Sequence, residues 1–246
     1  MNQARSILTY HSLDDTGSVI SISPGLFRAQ MEWLAASQAR VVPLAEIRST
    51  PGAVALTFDD GFHNFYEHAL PVLVEHRFPA TVFVVSGHCG ASNRWLQTVG
   101  GVPRLELMTW SELEAAAAAG VTLGSHTATH PHLSRLEATA LERELVSSRA
   151  AIEDRTGRLV DTFAYPYGDV NKQVRHAVGR HFRLACGTSL AYVSPDSDVL
   201  ELPRVDVYYV RSQRWFEALG QVGGAVYITA RRWARNCGRC RTILRN

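Results

Sequence analysis

Short apolar runs, each followed by a longer stretch of helical period, recur along this chain. Ser6–Tyr10, Ala53–Phe58, residues 80–85 ("ATVFVV"), 121–124, 162–165 and 183–186 read as strands. Between them, Pro24 opens a stretch in which Phe27, Met31, Leu34 and Ala35 share a helical face. Residues 64–76 and 111–119 read as helices, the second ended by Gly120, and residues 137–155 as a long helix stopped by Gly157. Alternation of this kind predicts an α/β architecture with parallel strands. Patterning alone fits an open sheet and a barrel equally. At 246 residues and 46% hydrophobic, the chain can bury one sizeable core, and neither an internal repeat nor a linker divides it.

Two polar clusters fall where strands end. "TFDDG" places Asp59 and Asp60 side by side after Ala53–Phe58, and "SHTATHPH" places His126 and His130 after residues 121–124. Four-residue spacing puts both imidazoles on one face of a helical turn, and in a tight loop it can also close on one ion. In parallel α/β folds the C-terminal strand ends share one rim, where sites are built. Two histidines and one carboxylate on that rim make a three-ligand site with open positions, as catalytic zinc uses. A divalent ion also accounts for adjacent acids, because neighbouring strand side chains diverge. One aspartate can bind the ion while the other serves as a general base.

These motifs resemble the polysaccharide deacetylases of carbohydrate esterase family four, the NodB-homology domains. "TFDDG" and "HTATH" match the first two motifs, and "FAYPYG" at residues 163–168 is similar to the third. The resemblance runs from about Ile7 to Val207. It implies a deformed (β/α) barrel and metal-dependent hydrolysis of N-acyl groups, usually acetyl, on amino sugars. Carried over by position, Asp59 is the base; Asp60, His126 and His130 hold the ion; the Tyr167 N–H helps form an oxyanion hole. Residues 1–210 then form the catalytic domain, and 211–246 a C-terminal helix and basic tail.

The chain departs from the family pattern in places. Ala164 stands where an arginine often steadies the base, and Arg204 in "LPRVD" is the better replacement than Arg211. No histidine follows His181, so the usual C-terminal proton donor is missing. One branch of the family carries that histidine in a Tyr-His after the first strand; "ILTYHSL" at residues 7–13 fits it and nominates His11. Loss of the arginine leaves a non-catalytic glycan-binding domain as an alternative. An Asp-His-His iron oxygenase is a further one, although such sites pair histidine and carboxylate two residues apart.

The formal charge of +2 is uneven: Arg231, Arg232, Arg235, Arg239, Arg241 and Arg245 crowd the end, and without them acids are in excess. A nucleic-acid partner is not expected. The expected substrate is a carbohydrate or a lipid-linked sugar. Trp215, Leu219, Val222, Val226 and Trp233 recur at helical spacing, which predicts a helix packed on the body, or an interfacial one whose arginines meet anionic lipid. Four scattered cysteines, "CGRC" included, read as reduced thiols, and no secretory h-region opens the chain. The expected location is the cytoplasm, with peripheral contact at the inner membrane face.

Overall fold

The computed structural model describes residues 4–37, 39–96 and 101–243. Its strands, in chain order, are β1 (Ser6–Tyr10), β2 (Ser12–Leu13), β3 (Ser21–Ile22), β4 (Arg40–Val41), β5 (Ala53–Phe58), β6 (Ala80–Val84), β7 (Thr122–Ser125), β8 (Thr162–Ala164), β9 (Leu184–Leu190) and β10 (Leu202–Asp206). The α-helices are α1 (Pro24–Ala36), α2 (Leu70–His76), α3 (Trp110–Ala118), α4 (Ala138–Thr156), α5 (Lys172–His181), α6 (Gln213–Glu217) and α7 (Val222–Ile243).

β1 and β5 through β10 form a closed parallel barrel. Closure comes from β1, which pairs with β5 from Ser6↔Val54 to Tyr10↔Phe58 and with β10 at Leu8↔Val205. Alternate strand residues face opposite sides, and the apolar core divides accordingly. Ile7, Ala55, Phe83, Ala164, Cys186 and Leu202 cluster together, whereas Leu8, Leu56, Val82, Val84, Phe163 and Ala185 join the larger cluster that includes the helices. Gly124 is required by this packing: a Cβ there would lie 2.6 Å from both the Phe83 ring and Thr162 Oγ1.

Several elements differ from their sequence reading. The helix over residues 64–76 opens as a π turn, Phe65–Ala69, before α2. Pro71 has no N–H to return to the preceding turn, and the Leu70 N–H bonds back to Phe65. β9 continues past Cys186 to Leu190, and β10 is a strand absent from the sequence reading, with Pro203 inside it where a proline cannot donate to the ladder. The chain accommodates that proline with a register shift between Leu202 and Arg204.

Beyond residue 210 the chain stays on the barrel. Phe216 in α6 and Ile228 in α7 are buried in the larger core cluster, and Trp215 stacks on Tyr227 at 4.0 Å. The predicted packed stripe is corrected here: Val222, Val226 and Trp233 are exposed, while Ile228 supplies the buried contact. Gly224 allows this docking, since a Cβ would sit 2.1 Å from the Ala218 carbonyl oxygen. The side chain of Cys240 in "CGRC" lies outside the described residues; Cys89, Cys186 and Cys237 are free thiols.

Candidate active site

The β1–β5 register determines which groups meet at the barrel mouth. Because Tyr10 pairs with Phe58, the next residues out, His11 and Asp59, are neighbours. The Asp59 N–H donates to the Tyr10 carbonyl at 2.9 Å, and His11 Nε2 lies 3.8 Å from Asp59 Oδ2. Asp60 follows with φ of 70°, which swings its carboxylate away from that of Asp59 and towards the histidine loop.

That loop leaves β7 without forming a helical turn, so the four-residue histidine spacing closes through a tight loop instead. Thr127 (φ 68°) and His130 (φ 61°) are left-handed, and Thr127 Oγ1 accepts the His130 N–H at 2.9 Å. Glu144 on α4 holds the loop from below, accepting the N–H groups of Ala128 and Thr129 at 2.9 Å and the Thr129 hydroxyl at 2.7 Å. Sequence reasoning missed Glu144, which looks like any charged residue of an exposed helix. Asp60, Thr127, His130 and Tyr167 (φ 58°) are non-glycine residues at positive φ gathered in one place. Concentrated backbone strain of this sort accompanies functional sites.

Asp60 Oδ1 sits 3.6 Å from His126 Nε2 and 3.4 Å from His130 Nε2, and the two ring nitrogens are 3.2 Å apart. All three side chains are buried. His126 Nδ1 meets the Ala164 carbonyl at 2.7 Å; as donor there, it leaves the Nε2 lone pair directed at the group. Burial, with His126 beside it, holds His130 well below the ordinary histidine range and therefore in the neutral, ligating form. Burial also pushes the Asp60 carboxyl up, more than His126 and His11 pull it down. Asp60 Oδ1 has no hydrogen-bond partner. A buried, unsatisfied acceptor facing two imidazole nitrogens fits a divalent cation, and these residues can hold a metal ion. The wild-type chain is expected to carry about one divalent ion and His126→Ala almost none, by elemental analysis of folded protein. Equal content in both would remove this group as the metal site.

Asp59 belongs to a different arrangement. Arg204 donates Nη1–H to Oδ1 and Nη2–H to Oδ2, both at 2.7 Å, and its Nε–H to the Gly187 carbonyl at 2.9 Å. Burial alone would raise the Asp59 pKa, but Arg204, with His126 and His11, holds it well below the usual carboxylate range. The arginine thus comes from β10, and Arg211 instead lies over the Tyr208 ring. Ala164 occupies the barrel interior.

Tyr167 lies in the 3₁₀ turn Pro166–Gly168 after β8; the Gly168 and Asp169 N–H groups bond back to the Tyr165 and Pro166 carbonyls at 2.9 Å, while the Tyr167 N–H, in the first turn, has no such acceptor. Its ring stacks on His132 at 4.2 Å and meets the edge of His130 at 4.6 Å. Trp95, also missed in the sequence, stacks on the other side of His130 at 5.0 Å. His63 stands apart, paired with Glu112 and Glu67. A cavity of about 320 Å³ opens beside Asp59 and His11, lined further by Thr188, Asp206, Tyr208 and Arg235.

The profile of the polysaccharide deacetylase family matches residues 47–181, just over half of the chain. The chain belongs to the polysaccharide deacetylase family. The matched span holds Asp59, Asp60, His126, His130 and Tyr167, and leaves out His11 and Arg204. Among curated relatives, a poly-beta-1,6-N-acetyl-D-glucosamine N-deacetylase of Staphylococcus aureus is 27% identical over 79% of this chain and 72% of its own. Solved structures share the fold. IcaB from Ammonifex degensii superposes with a TM-score of 0.71 at 22% identity, over 91% of this chain and 98% of that one. A polysaccharide deacetylase from Bacillus cereus gives 0.70 at 24% identity, over 83% of this chain and 65% of its own. The barrel is therefore of the deformed (β/α) type these deacetylases share.

Proposed function

We propose that this member of the polysaccharide deacetylase family is a metal-dependent N-deacetylase acting on N-acetylated amino sugars of a glycan. The observation that carries the reading is the convergence at one barrel mouth of a clamped carboxylate, a facing histidine and a buried Asp-His-His group. The activity in the printed name of the Staphylococcus aureus relative supports the substrate class.

Asp60, His126 and His130 would hold the ion, and two imidazoles with one carboxylate favour zinc. An ion held there would supply Lewis acidity towards an acyl carbonyl and a bound water. Asp59 accepts the proton of the attacking water, with both its oxygens oriented by Arg204. A carboxylate held this far below the usual range is a weak base. Its advantage is that it stays ionised and in place throughout the working pH range. The Tyr167 N–H donates to the oxygen that gains charge as the carbonyl becomes tetrahedral. His11, 3.8 Å from Asp59, protonates the departing amine, which cannot leave as its anion. Polymeric and lipid-linked glycans are both within this reading.

The decisive test is acetate release from β-1,4- and β-1,6-linked N-acetylglucosamine oligosaccharides, before and after chelation and zinc return. Release that depends on the ion is expected. A folded, metal-loaded chain that releases acetate from none of them would sink the reading. His11→Ala should keep fold and metal and lose about 10²–10⁴-fold in kcat on the amide. An activated aryl acetate should suffer far less, because its phenolate departs unprotonated. Equal losses on both substrates would refute the acid role of His11.

A further inference from the structure

Helix α7 presents two unlike faces. Ile228 is buried against the body, and the Tyr227 hydroxyl donates to the Tyr209 carbonyl at 2.6 Å. On the other side, Val222, Val226 and Trp233 are 84%, 65% and 71% exposed. At helical pitch these three positions fall within about 40° of one another, so they make one continuous apolar stripe. Nothing within the chain covers it among the described residues.

The surroundings of the stripe are cationic. From residue 218 to the C-terminus the sequence has six arginines and no acid. Arg231 and Arg232 on α7, Arg214 in α6 and Arg211 just before it are exposed. None of these four has a carboxylate within ion-pair distance among the described residues. Instead, Arg211, Arg214 and Arg231 lie over the rings of Tyr208, Trp215 and Tyr227. Such aromatic platforms leave the guanidinium charge uncompensated and facing outward.

We infer that α7 docks the protein on an anionic lipid surface, with Val222, Val226 and Trp233 entering the headgroup layer, Arg232, about 100° round the helix, reaching lipid phosphates, and the other arginines adding positive charge from the polar face. An exposed apolar stripe with Trp, on a helix whose remaining faces carry arginine and no acid, is what an interfacial helix requires. No helix among the described residues is long and apolar enough to cross a membrane, so the contact is peripheral. A second copy of this chain is the poorer occupant. Two such helices pressed together would bring two arginine-bearing, acid-free segments within about a Debye length of each other, with nothing on either helix to compensate. This inference goes beyond the deacetylase reading and does not depend on it.

The test is sedimentation of the full chain with phosphatidylcholine vesicles, with and without phosphatidylglycerol, at low and high salt. Binding is expected to vesicles containing phosphatidylglycerol, weakening as salt rises. The variant Val222→Ser/Val226→Ser/Trp233→Ser should bind at least about tenfold more weakly. All three positions are exposed, so its melting temperature and its acetate release from soluble oligosaccharides should match the wild type. Wild type that fails to bind anionic vesicles would overturn the inference, as would a triple variant that binds as well as wild type. A wild-type dimer in light scattering that the triple variant converts to monomer would assign the face to a second copy and overturn it too. Vesicle binding is read without turnover, so failure of the deacetylase assay leaves this result intact.

Discussion

Asp59→Asn should keep the bound metal and lower kcat by about 10²–10⁴-fold, because an amide cannot accept the proton that the carboxylate takes. The substitution is nearly isosteric, so the geometry around Asp60, His126 and His130 has no steric reason to change. It does have an electrostatic consequence. Arg204 is buried and holds both Asp59 oxygens, so the neutral amide leaves a guanidinium charge without its partner. Turnover must therefore be compared at a temperature where both proteins are folded, with metal content measured on the same samples. A metal-loaded Asp59→Asn chain with near-normal kcat would show that another group is the base.

Arg204→Met should produce the largest loss of stability, about 3–5 kcal/mol, because it strands the Asp59 carboxylate in a buried, low-dielectric place. For a chain of this size each kcal/mol lowers the melting temperature by about 2–4 °C. The pH dependence has a definite sign. In the wild type the Asp59 pKa is depressed, so its ionised form contributes stability that is present above the unfolded value and lost as pH falls through the folded one. In the variant only His126 and His11 still oppose burial, so that pKa rises. The gap between the two proteins should thus be widest near neutral pH and narrow in acid, where the stranded carboxylate takes up a proton. The double variant Asp59→Asn/Arg204→Met should be less destabilised than the sum of the single ones, since neither charge is then left unpaired. Denaturant midpoints for the four proteins at two pH values test this. Additive losses that do not vary with pH would mean that the pair does not act as a unit.

Several features were legible in the chain because they depend on local pattern. The alternation of strand and helix gave the α/β class, and Gly157 and Pro24 mark helix ends where a left-handed cap and a first-turn proline belong. Asp59, Asp60, His126 and His130 stood out because their residue types and strand-end positions suit one ion. Tyr167, His11 and the barrel itself entered through family resemblance, since no spacing rule links them to the aspartates.

What the pattern could not supply came from contacts distant in sequence. Pairing of β1 with both β5 and β10 closes the barrel, and no local signal distinguishes that from an open sheet. The same register sets His11 beside Asp59, and the turn of β10 brings Arg204 to a carboxylate 145 positions away. Glu144 and Trp95 were invisible because a charged helix residue and a loop tryptophan have many ordinary uses; only the folded chain sets them against the histidine loop. The helical spacing in the C-terminal segment was real, yet periodicity cannot say which face is buried. Packing of Ile228 on the body turned Val222, Val226 and Trp233 outward. Sequence thus determined the chemical groups and their local frames, while tertiary pairing decided which groups meet, because burial and Coulomb interaction depend on distance in space and not along the chain.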